Sequence, residues 1–248
     1  HRINWRKKYN STWRKFFRNF TNFSKKNNIN VIAGIAPGLD FNFKKFNNSS
    51  RDIKNSDFNL LLNKAQQLLE DGATYIALLL DDIPDDFEKN FGSNISEGTS
   101  HGILANKISE KLEQNIYLVP RIYADELVEH APDYLFDLGQ VINRDIKVFY
   151  CGKNVVCKTI TNSSKIKKYL YNKIICWDNY YANDYCPRRF FIGPYLGRKS
   201  LKNLMINPTG LIKTDLLILD IITNTINKKK PMKPWLETLN RHGVPVIF

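Results

Sequence analysis

The sequence predicts an α/β fold built from parallel strands that alternate with helices or long loops. Short apolar runs recur along the 248 residues, and stretches with apolar residues at helical spacing separate them. The run Thr74–Leu80 is almost wholly apolar, as expected for a strand buried on both faces of a sheet. Contents of 43% hydrophobic and 25% charged residues are typical of a globular protein.

Six strands are predicted from the apolar runs. The first ends at Pro37-Gly38, because this dipeptide interrupts regular structure. Each of the others lies between helical patterns or polar loops. In chain order the predicted strands are Asn30–Ala36, Thr74–Leu80, Ile116–Ile122, Ile146–Tyr150, Lys173–Trp177 and Leu204–Asn207.

Helices are predicted where apolar residues recur every three or four positions. The second helix has Ser56 or Asp57 as its N-cap and Gly72 at its end, which are residue types typical of those positions. The last helical region is interrupted at Pro231–Pro234. In chain order the predicted helices are Trp13–Lys26, the one from Ser56 or Asp57 to Gly72, Gly102–Gln114, Leu127–Leu138, Ser164–Tyr171 and the region from Gly210 onward.

Two architectures fit this series of β/α units, a β/α barrel and an open doubly wound sheet. No glycine-rich phosphate loop follows any strand, which argues against the nucleotide-binding open sheets. No break in composition marks a second domain. We therefore expect residues 1–248 to form one domain, with the strands within 1–209 and a helical part over 210–248.

The net charge of +13 is unevenly distributed. Nine basic residues and no acidic residue lie between His1 and Leu39, and Lys228–Lys230 with Lys233 form a second cluster. Such charge is compatible with nucleic-acid binding. The chain is also rich in asparagine, and joint enrichment of Lys and Asn is what an AT-rich genome produces. We therefore favour lysines on solvated faces over a polyanion site.

The cysteines and histidines indicate neither a metal site nor disulfides. No cysteine belongs to a Cys-x-x-Cys pair and the four histidines are scattered, so no zinc site is expected. The cysteines lie on predicted strands and adjacent loops, which suits buried thiols and a reducing compartment such as the cytoplasm. No signal peptide begins the chain and no apolar run approaches the roughly 18 residues of a membrane span, so no membrane partner is expected. The four cysteines are Cys151, Cys157, Cys176 and Cys186.

Polar, acidic and aromatic residues follow the predicted strands, where a β/α barrel has its active site. They suit a neutral ligand rich in hydroxyl groups, whereas a phosphate site would need Arg, Lys and helix N-termini. Asp81 and Asp82 follow the most apolar strand. Two carboxyl groups this close can divide into a protonated acid and an ionised neighbour, as glycoside cleavage requires. Alternatively, they are two loop aspartates, one capping a helix and one solvated.

Several motifs follow one another in order along nearly the whole chain. They are Ala36–Asp40, Leu80–Ile83, Trp177–Tyr185, Arg188-Arg189, Gly193–Tyr195, Gly197-Arg198, Asn207-Pro208, Trp235–Glu237 and Gly243–Pro245. Together these segments resemble glycoside hydrolase family 84, the β-N-acetylglucosaminidases. The stretch Trp177–Tyr185 is long and specific, whereas the aspartate pair alone is not.

The resemblance implies a retaining β-N-acetylglucosaminidase without a metal or organic cofactor, acting on N-acetylglucosamine-bearing glycans or glycoproteins. In this family the 2-acetamido oxygen of the substrate attacks the anomeric carbon and forms an oxazoline. Asp81 resembles the aspartate that orients the acetamido group, and Asp82 resembles the general acid/base. Tyr123 resembles the tyrosine that hydrogen-bonds the acetamido group, and Trp177 resembles the wall of its methyl pocket. The residues that resemble sugar-holding positions are Asn179, Asp184 and Asn207.

The chain departs from the family pattern in two places. Arg121-Ile122 stands where the family usually has Thr-Glu, and an arginine at the rim is expected to alter what lies beyond the sugar. The first two strands of the family, with Gly-Phe-Tyr-Gly and Lys-Asp-Asp motifs, have no match. The resemblance therefore predicts a TIM-type β/α barrel that lacks its first two β/α units and has a C-terminal helical extension.

Two other functions fit the residues. A carbohydrate-binding barrel without catalysis is possible if the unmatched strands leave the barrel unclosed. A polyanion-binding protein fits the net charge of +13 and the basic N-terminal helix, and it would bind nucleic acid with a steep salt dependence. The aglycone and the oligomeric state are left open.

Overall fold

The computed structural model describes residues 4–48, 56–84, 87, 95–160, 165–184, 186–198 and 202–245. The chain divides into two compact units. The first comprises His1–Tyr123, Leu127–Phe149 and Ile166–Ile174, and the second comprises Ala124–Glu126, Tyr150–Lys165 and Ile175–Phe248.

The first unit is organised around parallel strands that pair in chain order. The register places Ala77 opposite Tyr117, and Tyr117 opposite Lys147. A doubly wound sheet reverses its strand order partway, so this sequential order favours the barrel architecture over the open sheet. The strands are β1 (Ile32–Ile35), β2 (Tyr75–Leu79), β3 (Tyr117–Val119) and β4 (Lys147–Tyr150), each inside its predicted range.

Helices precede or follow these strands. Ser56 caps the helix Asp57–Glu70 by accepting a hydrogen bond of 3.3 Å from the Asn59 N–H, and Gly72 follows this helix with φ of 97°, which confirms the predicted start and end. The sequence does not predict the short helix Phe43–Asn48, since six residues carry little periodicity. The α-helices are α1 (Ser11–Lys26), α2 (Phe43–Asn48), α3 (Asp57–Glu70), α4 (Glu97–Lys111) and α5 (Tyr134–Val141).

Helix α4 begins five residues earlier than predicted. Ser96 caps it, and its first turns present Gly98 and Gly102 to α5 instead of apolar side chains. A side chain at Gly98 would come within 2.3 Å of the Tyr134 carbonyl oxygen. Because the two helices approach this closely through small residues, the apolar periodicity that reveals most helices is missing here.

The helix predicted over Leu127–Leu138 is instead two elements. A 3-10 helix covers Asp125–His130, and α5 starts at Tyr134. Pro132 lies between them and explains the break, because proline restricts the residue before it and cannot donate a helical hydrogen bond. The helix predicted over Ser164–Tyr171 is a 3-10 helix at Lys165–Lys168, and Ser164 lies outside the described residues.

The core of the first unit lies between its strands and helices. β2 contributes Ile76 and Leu78, both with no exposed surface, as the apolar run predicts. Helix α1 contributes differently, because Phe16 and Phe20 on its apolar face are 70% and 54% exposed. Its buried side chains include Thr21, whose hydroxyl donates a hydrogen bond of 2.8 Å to the Asp71 carbonyl oxygen. The spacing therefore predicts the helix correctly but not the face that it buries.

The end of α3 is fixed by a buried carboxylate. The Asp71 side chain has no exposed surface and accepts hydrogen bonds of 2.6 Å from both Arg14 Nε and Arg18 Nε on α1. Burial by itself raises the pKa of Asp71, but the hydrogen bonds and charges of the two arginines outweigh it and lower this pKa. The ion pair therefore joins α1 to α3.

The second unit contains β6 (Leu204–Ile206) and all of β5 (Ile174–Asp178) except its first residue. The two strands are parallel, with Cys176 opposite Leu204. Helices α6 (Ile212–Thr225) and α7 (Met232–Arg241) follow. The interruption lies between Thr225 and Met232, earlier than the predicted Pro231–Pro234, because α7 already includes Pro234 in its first turn, where proline is tolerated.

All four cysteines are free thiols. Cys151, Cys157 and Cys176 are buried, as predicted, whereas Cys186 is half-buried. Within the described residues, every helix is too short or too polar to span a membrane.

The second unit has its own cluster of buried hydrophobic residues. The members of this cluster are Tyr181, Tyr195, Leu217, Ile218, Ile221, Ile222 and Leu239.

Replacing Gly72 by alanine is expected to cost more than replacing Gly210. Both have positive φ, 97° and 75°, so each substitution costs about 1–2 kcal/mol of backbone strain. At Gly72 the new Cβ would also lie 2.5 Å from the Thr21 hydroxyl oxygen, whereas nothing lies within 4 Å at Gly210. Urea denaturation should therefore give a further loss of about 1–3 kcal/mol for Gly72→Ala. Equal losses would contradict the close approach of α1.

Acid should destabilise the protein partly through Asp71. Because the folded-state pKa of Asp71 is lowered, its stabilising contribution is complete above the unfolded pKa of about 3.9 and is lost as the pH falls through the folded-state value. Asp71→Asn should reduce the decline in unfolding free energy between neutral and acidic pH, measured by urea denaturation. The exposed Asp145→Asn is the control and should leave the decline unchanged.

Candidate active site

Two adjacent carboxylates lie just beyond β2 in the first unit. Asp81 is half-buried and Asp82 is exposed. Asp82 has φ of 50°, a left-handed conformation that is uncommon outside glycine. The Tyr123 hydroxyl, which follows β3, donates a hydrogen bond of 2.9 Å to Asp82 Oδ1. The structure therefore brings three predicted site residues together and adds a contact between Tyr123 and Asp82 that the sequence did not predict.

Gly38, which follows β1, supports the segment that carries these aspartates. A side chain at Gly38 would come within 2.7 Å of Ile83 Cγ2 and 3.6 Å of Leu80 Cδ2. Leu80 and Ile83 flank the two carboxylates in the sequence, so the segment rests directly on the glycine. The Pro-Gly dipeptide predicts the end of a strand, but it carries no sign of this contact.

Arg121 does not lie at an open rim, so that expectation is wrong. Its side chain is 8% exposed, and its Nη2 and Nε atoms lie 2.7 and 2.8 Å from Glu97 Oε2 in the first turn of α4. Its backbone N–H donates a hydrogen bond of 3.0 Å to the Tyr134 hydroxyl. The pair therefore holds the backbone two residues before Tyr123.

His101 is part of the same buried group. Its Nδ1 lies 2.9 Å from the Tyr134 hydroxyl oxygen, and the ring has no exposed surface. Burial, followed by the nearby charge of Arg121, lowers the pKa of His101 to about 3. The imidazole is therefore neutral at physiological pH and serves packing and hydrogen bonding.

Three of the predicted sugar-contacting residues form a hydrogen-bonded network in the second unit. Trp177 Nε1 and Asn207 Nδ2 each donate a hydrogen bond of 3.0 Å to Asn179 Oδ1. The Asn179 Nδ2 group in turn donates a hydrogen bond of 2.9 Å to the Val155 carbonyl oxygen. Asp184 is exposed on the turn that follows Asn179. The hydrogen bonds among Trp177, Asn179 and Asn207 therefore join the ends of β5 and β6. The sequence predicts each of these three residues as a sugar contact, but it does not predict the hydrogen bonds among them.

A buried ion pair lies beside this network. Asp178 and Arg198 are 2% and 1% exposed, and Arg198 Nε lies 2.8 Å from Asp178 Oδ2. The Tyr195 hydroxyl donates a hydrogen bond of 2.5 Å to the same oxygen. Burial and this hydrogen bond to a carboxylate raise the pKa of Tyr195. All three residues belong to segments that matched the family pattern, but no role was assigned to them from sequence.

Among the residues that the structure describes, no three or more His, Cys, Asp or Glu side chains are grouped as metal ligands. The polar groups that follow the strands are carboxylate, amide, phenol and indole groups. Groups of these kinds can form hydrogen bonds with hydroxyl and amide groups, and aromatic rings can stack on apolar faces.

Comparison with known proteins defines the class of the chain. Residues 1–214 match the family described as beta-N-acetylglucosaminidase. This match covers more than half of the chain, so the chain belongs to that family, and the resemblance seen in its motifs is confirmed.

Curated relatives in this class carry a specific name. Protein O-GlcNAcase of Rattus norvegicus and Protein O-GlcNAcase of Mus musculus are each 28% identical to the chain over 224 residues. The alignments cover 84% of this chain and 23% of each relative. The chain therefore spans about a quarter of the length of the curated relatives it matches.

Solved structures share the fold. A mutant of the Thermobaculum terrenum O-GlcNAc hydrolase matches with a TM-score of 0.81 at 23% identity, covering 98% of this chain and 54% of that protein. The structure of CpGH84B matches with a TM-score of 0.77 at 20% identity, covering 97% of this chain and 43% of that protein. These structures support the predicted α/β fold of the β/α-barrel kind.

Arg121→Met should destabilise the protein by about 3–5 kcal/mol, because it removes the guanidinium partner of Glu97, whose side chain is only 11% exposed. Removing both charges in Glu97→Gln/Arg121→Met should cost less than the single change. The exposed Arg188→Met serves as the control. Thermal and urea unfolding measure all three, and a loss for Arg121→Met no larger than that of the control would contradict the ion pair.

Proposed function

We propose that this chain is the catalytic part of a retaining β-N-acetylglucosaminidase that uses substrate assistance. The observation that carries the proposal is the pair of adjacent aspartates beyond β2, with the Tyr123 hydroxyl 2.9 Å from Asp82 Oδ1. Membership of the beta-N-acetylglucosaminidase family supports it. The arrangement supplies two carboxylates and a phenol in reach of one another, which is the set of groups that the reaction needs.

In the first step, the acetamido oxygen of the substrate forms a bond to the anomeric carbon while the bond to the leaving oxygen breaks. Asp82, protonated, donates its proton to that oxygen. Asp81 accepts the acetamido N–H and so orients the amide and stabilises the developing positive charge. In the second step Asp82, now ionised, removes a proton from the water that opens the oxazoline, and the anomeric configuration is retained.

The local geometry supports this division of labour between neighbouring residues. Neither aspartate has to bond to the anomeric carbon, because the nucleophile belongs to the substrate. The left-handed conformation of Asp82 turns the chain between the two carboxylates, and the more exposed of them is the proposed acid/base. An exposed acid can exchange its proton with solvent between catalytic cycles.

The residues of the second unit are proposed to hold the sugar. Trp177 would form the wall against the acetamido methyl group, and Asn179, Asn207 and Asp184 would bind hydroxyl groups. The network centred on Asn179 supports a preorganised amide, since its oxygen already accepts two hydrogen bonds. Selectivity for N-acetyl sugars follows, because a plain glucoside lacks both the nucleophile and the methyl group.

The proposed substrate is a terminal β-linked N-acetylglucosamine on a protein or glycan. The name of the rat and mouse relatives, Protein O-GlcNAcase, favours a modified protein over a hyaluronan fragment or a chitooligosaccharide.

The polyanion alternative receives less support. Three arginines of the basic N-terminal stretch, Arg6, Arg14 and Arg18, form ion pairs with carboxylates of the same unit. Their charges are therefore partly neutralised.

The carbohydrate-binding alternative shares the sugar-holding residues with the proposed enzyme. The two functions differ only in whether the bound sugar is hydrolysed.

Hydrolysis of aryl N-acetyl-β-glucosaminides by the purified protein tests the proposal. Asp82→Asn should lower kcat by about 10²–10⁴-fold for poor leaving groups, and by less for acidic phenols that need no protonation. Asp81→Asn should slow every substrate by a comparable factor, because attack by the acetamido oxygen is always required.

Asp145→Asn is the matched control and should retain full activity. Absence of hydrolysis, or unchanged rates in both active-site variants, would refute the proposal. Binding of N-acetylglucosamine without hydrolysis would instead favour the carbohydrate-binding alternative. Salt-sensitive binding of nucleic acid without sugar binding would favour the polyanion alternative.

A further inference from the structure

Strand geometry separates the side chains at the end of β5 into two groups. Successive residues of a strand point to opposite faces, so Trp177 and Asn179 share one face and Asp178 occupies the other. The side-chain hydrogen bonds agree with this division into two faces. Trp177 donates a hydrogen bond to Asn179, whereas Asp178 accepts hydrogen bonds from Arg198 and Tyr195. The backbone that carries two proposed sugar-binding residues is therefore held from behind by the residue between them.

Arg198 is the centre of this support. Its Nε and Nη2 atoms both donate hydrogen bonds to the Asp178 carboxylate, and Nη2 lies 3.1 Å from Oδ1. This is the bidentate contact typical of arginine and carboxylate. Its Nη1 donates to the Leu196 carbonyl oxygen at 2.7 Å, and the terminal nitrogens also contact the carbonyl oxygens of Cys157 and Lys158. One buried guanidinium thus joins three segments of backbone.

Aromatic rings enclose the ion pair. The guanidinium carbon lies 4.1 Å from the centre of the Tyr180 ring and 5.2 Å from that of Tyr195. The Tyr180 N–H donates a hydrogen bond of 3.0 Å to Asp178 Oδ1. Every oxygen of the carboxylate and every nitrogen of the guanidinium therefore has a partner, so the pair fixes one orientation of the end of β5.

A buried ion pair of this kind contributes little net stability, because desolvation of the two charges offsets their attraction. The ion pair contributes orientation instead. A planar guanidinium fixes the direction of the carboxylate that it contacts, whereas a lysine ammonium group does not. We propose that Arg198 is a positioning residue, which acts through Asp178 to hold Trp177 and Asn179 in the arrangement that binds the N-acetyl sugar. This inference rests on the proposed function.

The test compares Arg198→Lys with Arg14→Lys. Both keep the charge and lose the planar fork, and both face a buried aspartate, Asp178 or Asp71. Assayed well below the unfolding temperature of the variant, Arg198→Lys should have a KM for an aryl N-acetyl-β-glucosaminide about 10–100-fold higher than that of the unsubstituted protein. Small displacements of the groups that hold the sugar weaken binding by factors of this size. The kcat of Arg198→Lys should change much less. Arg14→Lys should alter neither constant, although both variants lose thermal stability.

A spectroscopic signal reports on the arrangement independently of activity. The indole N–H resonance of Trp177 can be assigned because it disappears from the nitrogen–proton correlation NMR spectrum of Trp177→Phe. This resonance should shift in the spectrum of Arg198→Lys. The Trp5 indole N–H, which donates to Asp40 in the first unit, should not shift. If Arg198→Lys does not fold, the nearly isosteric Asp178→Asn provides the same two measurements.

The outcomes separate this inference from the proposed function. If the unsubstituted protein is active and Arg198→Lys leaves both KM and the Trp177 signal unchanged, the inference is wrong and the proposed function stands. A shifted Trp177 signal with unchanged KM also overturns it, since positioning would then not affect the sugar. If the unsubstituted protein neither hydrolyses the glycoside nor binds N-acetylglucosamine, the proposed function fails and the inference fails with it.

Discussion

Parallel pairing of the strands in the first unit decides where its polar residues lie. The register places Leu79 opposite Val119, so the segments that follow β2 and β3 leave the sheet at the same edge. Asp82 and Tyr123 consequently meet there, 41 residues apart in the chain. Because side chains alternate along a strand, a shift of one residue in this register would turn the side chains of one segment to the opposite face relative to the other segment. The proposed chemistry therefore depends on backbone hydrogen bonds that involve none of the proposed catalytic side chains.

Buried ion pairs refine what the strands position. In the first unit, Arg121 and Glu97 fix the backbone two residues before Tyr123. In the second unit, Asp178 and Arg198 fix the end of β5 beside Trp177. Apolar residues of similar size could fill these places with little loss of stability. Their directional hydrogen bonds give each segment a single orientation, which is what a site for a polar, multi-hydroxyl ligand needs.

Much of this architecture is predictable from the sequence because it leaves local signals. Apolar runs reveal the strands, and the carboxylates beyond β2 reveal a candidate site. Tertiary contacts leave no such signal. The sequence predicts Arg121 at the rim because nothing local reveals its partner Glu97, 24 residues away. The same holds for Asp178 and Arg198, 20 residues apart, and for the glycine-rich start of α4, which packs without an apolar face.

An experimental structure of the protein with a thiazoline analogue of the oxazoline intermediate would show whether Asp81 and Asp82 divide the work as proposed. We expect the Asp81 carboxylate within hydrogen-bonding distance of the ring nitrogen, and Asp82 beside the anomeric carbon on the side of the departing or attacking oxygen. A ligand bound away from both aspartates, or one contacted by Asp82 but not by Asp81, would contradict substrate assistance by this pair.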